Sequence, residues 1–323
     1  MNGGRDVGAW LRPLRLSASL AIWGVLAVML VVSALLSSAF FNPVYLANVV
    51  RQASPVGIAA VGATVVMILG GVDLSVGAIV SFAAVFGAIQ MAGDPANIGS
   101  AILWTMLTSA LIGLANGALV AYNRTSSFIL TLGSALVIYG ATQLYSGGTA
   151  RGIVASGFRE FFNFRVGGLV PVIALVMLAL AALVEAVLRL TRFGRSVYLI
   201  GSNAAAARIA GLSLARVTMA AYTISGLFAG LAGLALLARS GVSTTSSGRG
   251  FELDTLAAIV LGGTVFEGGR GSAAASIAGV LVLFIAFNIV NILGLNFNLQ
   301  LTVKGLIVIA ASAIYARVNN NHR

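Results

Sequence analysis

Only eight aspartates and glutamates stand among the 323 residues, so each can be weighed by itself. Asp73 lies in Gly70-Gly71-Val72-Asp73-Leu74-Ser75-Val76-Gly77, between two short apolar runs. A carboxylate there is costly unless it caps a helix, pairs with a cation or faces water. The two glycines weaken the preceding helix, and Asp73 or Ser75 is placed to accept backbone N–H bonds at the start of the next. Three readings follow: a cap at a helix break, contact with a translocated solute or ion, or contact with a partner. Glu185, Asp254 and Lys304 are the other charges within apolar stretches, and with Asp73 they form the set an ion-coupled carrier would need.

Other chemistries are excluded. There is no cysteine, and the single histidine, His322, is in the tail, so a zinc site or histidine catalysis inside the fold is ruled out. The glycines of Gly262-Gly263-Thr264 and Gly268-Gly269-Arg270-Gly271 lack the lysine and Ser/Thr of a phosphate-binding loop, and no G-x-S-x-G elbow occurs. The chain binds no cofactor of its own and does not hydrolyse ATP.

The elements that must position these residues are membrane spans. Hydrophobic residues make up 59 %, charged residues 8 %, and the mean hydropathy is +1.03; too little polar surface exists to cover a soluble globule. Crossing ~30 Å of hydrocarbon takes about 20 residues. Such stretches occur at 20–41, 98–121, 127–145, 168–190, 217–239, 273–294 and 299–317, with shorter or broken ones at 53–70, 76–92 and 253–266. The expectation is an all-α polytopic protein of about ten spans: a segment 1–19, one membrane domain 20–317 and a tail 318–323. The first apolar run is too long for a cleaved signal.

The net charge of +11 is dispersed at the ends of the spans, which reads as topology and not as nucleic-acid binding. With both termini inside, twelve arginines fall on the cytoplasmic side and six outside: Arg51, Arg151, Arg159, Arg165, Arg239 and Arg249. The richest inside segment, 189–216, carries five arginines. Within it Asn203 resembles an N-cap, Ala204 to Ala210 a short helix, and Gly211 a terminating residue. Small side chains with Arg208 projecting suit a groove on a soluble partner; a helix resting on the lipid surface is the alternative.

Glycines four apart at Gly113 and Gly117, and at Gly226 and Gly230, predict close helix packing. Asn116, Gln143, Asn288 and Asn291 are polar positions in spans, suited to bonds between helices or to lining a path. A weak internal repeat relates Asp73 and Ala78-Ile79-Val80 to Asp254 and Ala258-Ile259-Val260.

Taken in order, Gly71 to Gly77, the loop from Gly194-Arg195 to Gly211-Leu212, and Glu252-Leu253-Asp254 through Gly262-Gly263-Thr264 to Gly268-Gly269 resemble the permeases of bacterial ABC monosaccharide importers, the ribose, xylose and galactose type. The likeness runs from about residue 20 to 317; Ser202 stands where the family usually has glycine. It implies an inner-membrane permease with the helical arrangement of vitamin B12 importers, paired with a second permease, either identical or homologous. It also implies a cytoplasmic ATPase that holds ATP and Mg, and a periplasmic solute-binding protein. The docking residues it implies are Gly194, Arg195, Gly201, Ser202, Asn203, Ala206, Ala207, Arg208 and Gly211. Asp73, Ser75, Asn116, Asn288 and Asn291 are the expected pathway residues. The rivals are an ion-coupled secondary transporter and a scaffold that moves nothing.

Overall fold

The computed structural model describes residues 18–123, 125–294 and 299, 302, 305 and 306. The expected last span at 299–317, with Lys304, the segment 1–17, Arg124 and the tail lie largely or wholly outside those residues. The helices are α1 (Ala18–Leu36), α2 (Pro43–Ile68), α3 (Val76–Met91), α4 (Ile98–Tyr122), α5 (Ser127–Ser146), α6 (Ser156–Asn163), α7 (Val172–Leu190), α8 (Arg192–Ser202), α9 (Ala204–Ile209), α10 (Leu214–Ser240), α11 (Phe251–Leu261) and α12 (Ala273–Ile292). A small antiparallel hairpin of β1 (Arg165–Val166) and β2 (Val170–Pro171) precedes α7, so the span expected from 168 begins at Val172.

Six of these helices are long and apolar enough to cross a membrane, with shorter apolar helices at Ile22–Leu36 and Val76–Met91. The run expected at 53–70 is only the second half of α2. The side chain of Asn42 accepts from the Val44 amide at 2.9 Å, Pro43 fills the first turn, and 26 helical residues result, Arg51 and Gln52 included. Apolarity alone missed this start because the first turns are partly polar.

Burial sorts the spans. The apolar window of α2 is 83 % buried and that of α12 78 %, against 22 % for α4 and for α5; α2, α10 and α12 are therefore the interior. The outer helices show large apolar side chains to their surroundings, among them Trp104, Leu136 and Leu144, as a lipid-facing or subunit-facing surface must. Between α4 and α10 the predicted glycine packing is realised. A Cβ added at Gly113 would lie 2.3 Å from the Tyr222 carbonyl oxygen, and one at Gly226 2.4 Å from that of Ser109. Association between spans depends on such close fit, since lipid is as apolar as the side chains.

Two of the expected spans, α3 and α11, are too short to cross. α3 has 16 residues and α11 has 11, roughly 24 and 16 Å at 1.5 Å per residue. Their first turns meet: a Cβ on Gly77 would sit 1.9 Å from Glu252 Oε2 and 2.7 Å from the Gly248 carbonyl oxygen, and the Gly248 amide donates to Ser81 Oγ at 2.8 Å. The connections divide between two ends of the bundle. At one end the Gly269 amide donates to Ile68 O and the Tyr198 hydroxyl to Gly271 O. At the other, the Gly93 amide donates to Ile153 O, Asn163 Nδ2 to Ala238 O, and Ser243 Oγ to Arg151 O.

Candidate functional site

Two places gather the polar chemistry: the break before α3 and the α8–α9 loop. The break begins at Gly70, whose φ of +89° is a conformation that favours glycine. The chain then runs without helix to Ser75, so its backbone groups need partners from elsewhere. α5 supplies two: Ser127 Oγ accepts from the Val72 amide at 3.1 Å, and Thr131 Oγ1 from the Leu74 amide at 3.0 Å. The hydroxyl of Tyr222, on α10, donates to Val72 O at 3.1 Å.

Asp73 is 7 % exposed and sits at the centre. Its Oδ1 accepts from the Ser75 amide at 3.0 Å and from Ser75 Oγ at 2.5 Å; its Oδ2 accepts from Ser225 Oγ at 2.8 Å. Asn116 Nδ2 donates to Ser75 Oγ at 2.8 Å, and Ser134 Oγ donates to Asn116 Oδ1 at 2.6 Å. One continuous network thus runs from α5 through α4 and the break to α10. Asp73 caps the break at Ser75, and Ser75 itself makes no side-chain cap to α3.

The structure therefore joins Asp73, Ser75 and Asn116 and separates them from the other two expected pathway residues. Asn288 accepts from the Tyr45 hydroxyl at 3.1 Å and donates to Phe284 O within α12, while Asn291 is exposed. The sequence reading missed Ser225, Tyr222 and the α5 residues. A signal existed for α5: Ser127, Thr131 and Ser134 recur at helical spacing, a polar stripe on an otherwise apolar span. The internal repeat does not hold in detail, because Asp73 precedes α3 whereas Asp254 lies in the first turn of α11.

The α8–α9 loop contains more helix than expected. Thr191 Oγ1 accepts from the Gly194 amide at 3.1 Å and starts α8, which the sequence reading did not foresee. Asn203 does cap the next helix, its Oδ1 accepting from the Ala206 amide at 2.9 Å. That helix ends at Ile209, one residue early, and Gly211 closes it with φ +79°.

The expected docking residues separate into two faces. Arg195, Ser202, Asn203, Ala206, Arg208 and Gly211 are exposed, whereas Gly194 and Ala207 are buried and Gly201 is half-buried. A Cβ on Gly194 would lie 2.1 Å from Leu188 O, so this glycine seats the loop on its own chain. Ile209, which the sequence reading did not single out, is 89 % exposed.

Glu185, of α7, lies behind this loop. Its Oε2 accepts from Ser272 Oγ at 3.0 Å and from the Ala274 amide at 3.3 Å, at the start of α12, and Oε1 pairs with Arg189. It is a structural cap. Burial first, and then the Glu185 carboxylate, push the Tyr198 phenol of α8 above its ordinary pKa, while Arg189 opposes the shift. Among the described residues no group of acids and histidine could hold a metal ion.

The family described as branched-chain amino acid transport system, permease component, matches residues 45–312. The chain belongs to this family of permeases. The chain is similar to the ribose import permease protein RbsC of Bacillus subtilis, with 35 % identity over 88 % of each chain. The same protein of Escherichia coli K12 is 34 % identical over 88 % of this chain and 90 % of its own. The galactose/methyl galactoside import permease protein MglC of Haemophilus influenzae is 34 % identical over 91 % and 93 %. No solved structure matches the permease. It is the membrane subunit of an ABC importer of the bacterial inner membrane; ATP is hydrolysed by a separate subunit, and a solute-binding protein delivers the cargo. That membership removes the ion-coupled and scaffold readings.

Proposed function

We propose that this permease moves a monosaccharide, or a similarly small hydroxyl-rich solute, from periplasm to cytoplasm by alternating access. The similarity across nearly nine-tenths of the chain to ribose and galactose permeases carries the reading. The scarcity of fixed charge in the spans supports it, because a neutral polyol needs hydrogen bonders and no counter-ion. Uptake by the reconstituted importer, with its own binding protein, tests it. Labelled ribose or galactose should accumulate with ATP present. Accumulation of leucine, with no uptake of these or other monosaccharides, would overturn the reading.

The proposed frame is a pair of permeases, identical or homologous, each with about ten spans in the arrangement of vitamin B12 importers and both termini inside. The proposed ATPase-docking surface is the exposed face of α9 with its flanks: Arg195, Ser202, Asn203, Ala206, Arg208, Ile209 and Gly211. Gly194, Gly201 and Ala207 support that surface from behind. The partner holds ATP and Mg; this chain binds no cofactor. ATP binding draws the partner's halves together, and the permease population shifts because the docked loop makes different contacts in the two states. Asn203→Glu together with Arg208→Glu should release the ATPase while the permease still inserts in the membrane. Undiminished co-purification and uptake would count against docking at this loop.

A further inference from the structure

The seating of the α8–α9 loop shows three backbones brought together at one point. A Cβ on Gly201, next to last in α8, would lie 2.0 Å from Ile68 O and 2.5 Å from the Gly269 amide nitrogen. Those two atoms are themselves bonded, Gly269 N donating to Ile68 O at 2.7 Å. Gly201 thus rests directly on a hydrogen bond between the end of α2 and the α11–α12 connection. The contacts are reciprocal. A Cβ on Gly269 would lie 2.8 Å from Ser202 Cα, and one on Gly268 2.7 Å from the Gly70 amide nitrogen. The Tyr198 hydroxyl closes the same junction by donating to Gly271 O at 2.8 Å.

Contacts of this kind transmit displacement with little loss. Side chains can absorb a small push by changing rotamer, but close-packed backbones cannot. On one side the junction leads through Gly70 into the segment that carries Asp73 and begins α3. On the other it leads back to α11 and forward to α12, whose start is held by Ser272 and by Glu185 of α7. α3 and α11 are the two short helices whose first turns meet at Gly77 and Glu252.

We infer that Gly201, Ile68 and Gly269 form a rigid transmission junction, and that Gly201 is the positioning residue through which movement of the α8–α9 loop reaches α3 and α11. This rests on the docking reading above. Neither the ATPase nor the solute touches Gly201 in this scheme; it acts by leaving no gap.

The test uses the full importer reconstituted in vesicles, with Gly201→Ala and Tyr198→Phe compared with the unaltered protein. Uptake per ATP hydrolysed and amide exchange of peptides covering 66–75 and 262–272 are both followed. Gly201→Ala should lower uptake per ATP by at least about tenfold and raise exchange in both peptides together, as expected of a Cβ forced against backbone. Tyr198→Phe should raise exchange in 262–272 by about fivefold, the worth of one hydrogen bond, with a smaller loss of uptake per ATP. Unchanged uptake per ATP in Gly201→Ala overturns the junction. Should that variant not insert or not hold the ATPase, Tyr198→Phe decides, and unaltered coupling and exchange there overturn it equally. Failure of the docking reading shows separately, as normal co-purification of the Asn203→Glu, Arg208→Glu protein, with the exchange responses of the junction unaffected.

Discussion

Replacing Asp73 separates a structural role from a role in the pathway. In the folded permease the carboxylate receives three donors: the Ser75 amide, Ser75 Oγ and Ser225 Oγ. Asp73→Asn keeps an oxygen for both Ser75 donors, and Ser225 can rotate to accept from the new amide. Each bond passes from a charged acceptor to a neutral one, a loss of about 1 kcal/mol apiece, partly offset by no longer burying a charge. The net expectation is a destabilisation of about 1–2 kcal/mol. Asp73→Ala removes both acceptor oxygens, and with them all three bonds, and strands the Ser75 amide in a buried site, which raises the cost to roughly 3–5 kcal/mol. Melting in detergent should therefore order the proteins as unaltered, Asn, Ala. Uptake per folded, ATPase-bound permease should stay within about threefold of normal for Asn, since ~0.7 kcal/mol is all that a rate change of that size requires. Abolished uptake with unchanged melting would show that Asp73 meets the solute and would refute the network reasoning. An unaltered melting temperature in Asp73→Ala would refute it from the other side.

The remaining predictions concern packing and caps. Gly113→Val or Gly226→Val should abolish the folded permease, because the new side chain meets backbone at 2.3–2.4 Å across the α4–α10 contact; folded yield after detergent extraction reads this. Gly99→Ala, where a Cβ meets nothing within 4 Å, should leave melting unchanged or raise it slightly, by up to ~1 kcal/mol from helix propensity. Asn203→Ala should lower protection of the α9 amides by the worth of one N-cap, ~1 kcal/mol, seen by hydrogen exchange of residues 204–210. Ile209→Asp should weaken ATPase co-purification without altering the melting of the free permease, since the side chain is 89 % exposed.

Much of the site was legible because its signals are local. A cap needs only its own residue and the next three, so Asn203 and Gly211 disclosed α9, and Gly113, Gly117, Gly226 and Gly230 disclosed a close helix contact without saying which helices met. The start of α2 was missed because hydropathy averages over a window and ignores Asn42-Pro43. α8 was missed because its residues read as a basic linker. Ser225 and Tyr222 were missed because they lie about 150 residues from Asp73, and nothing local marks a partner at that distance.

The sequence by itself determined that the chain is a helical membrane protein, which stretches are apolar enough to span, where the arginines interrupt them, and which family it joins. These follow from composition, the 20-residue length of a span and short motifs, each of which acts over a few neighbouring residues. Only the tertiary structure decided that α3 and α11 start against one another, that Asp73 sits in a hydrogen-bond network joining α4, α5 and α10, and that Gly201 bears on a hydrogen bond between two distant connections. Those are contacts between backbones and buried polar groups far apart in the chain. Their identity depends on how the spans pack, and hydropathy carries no record of that.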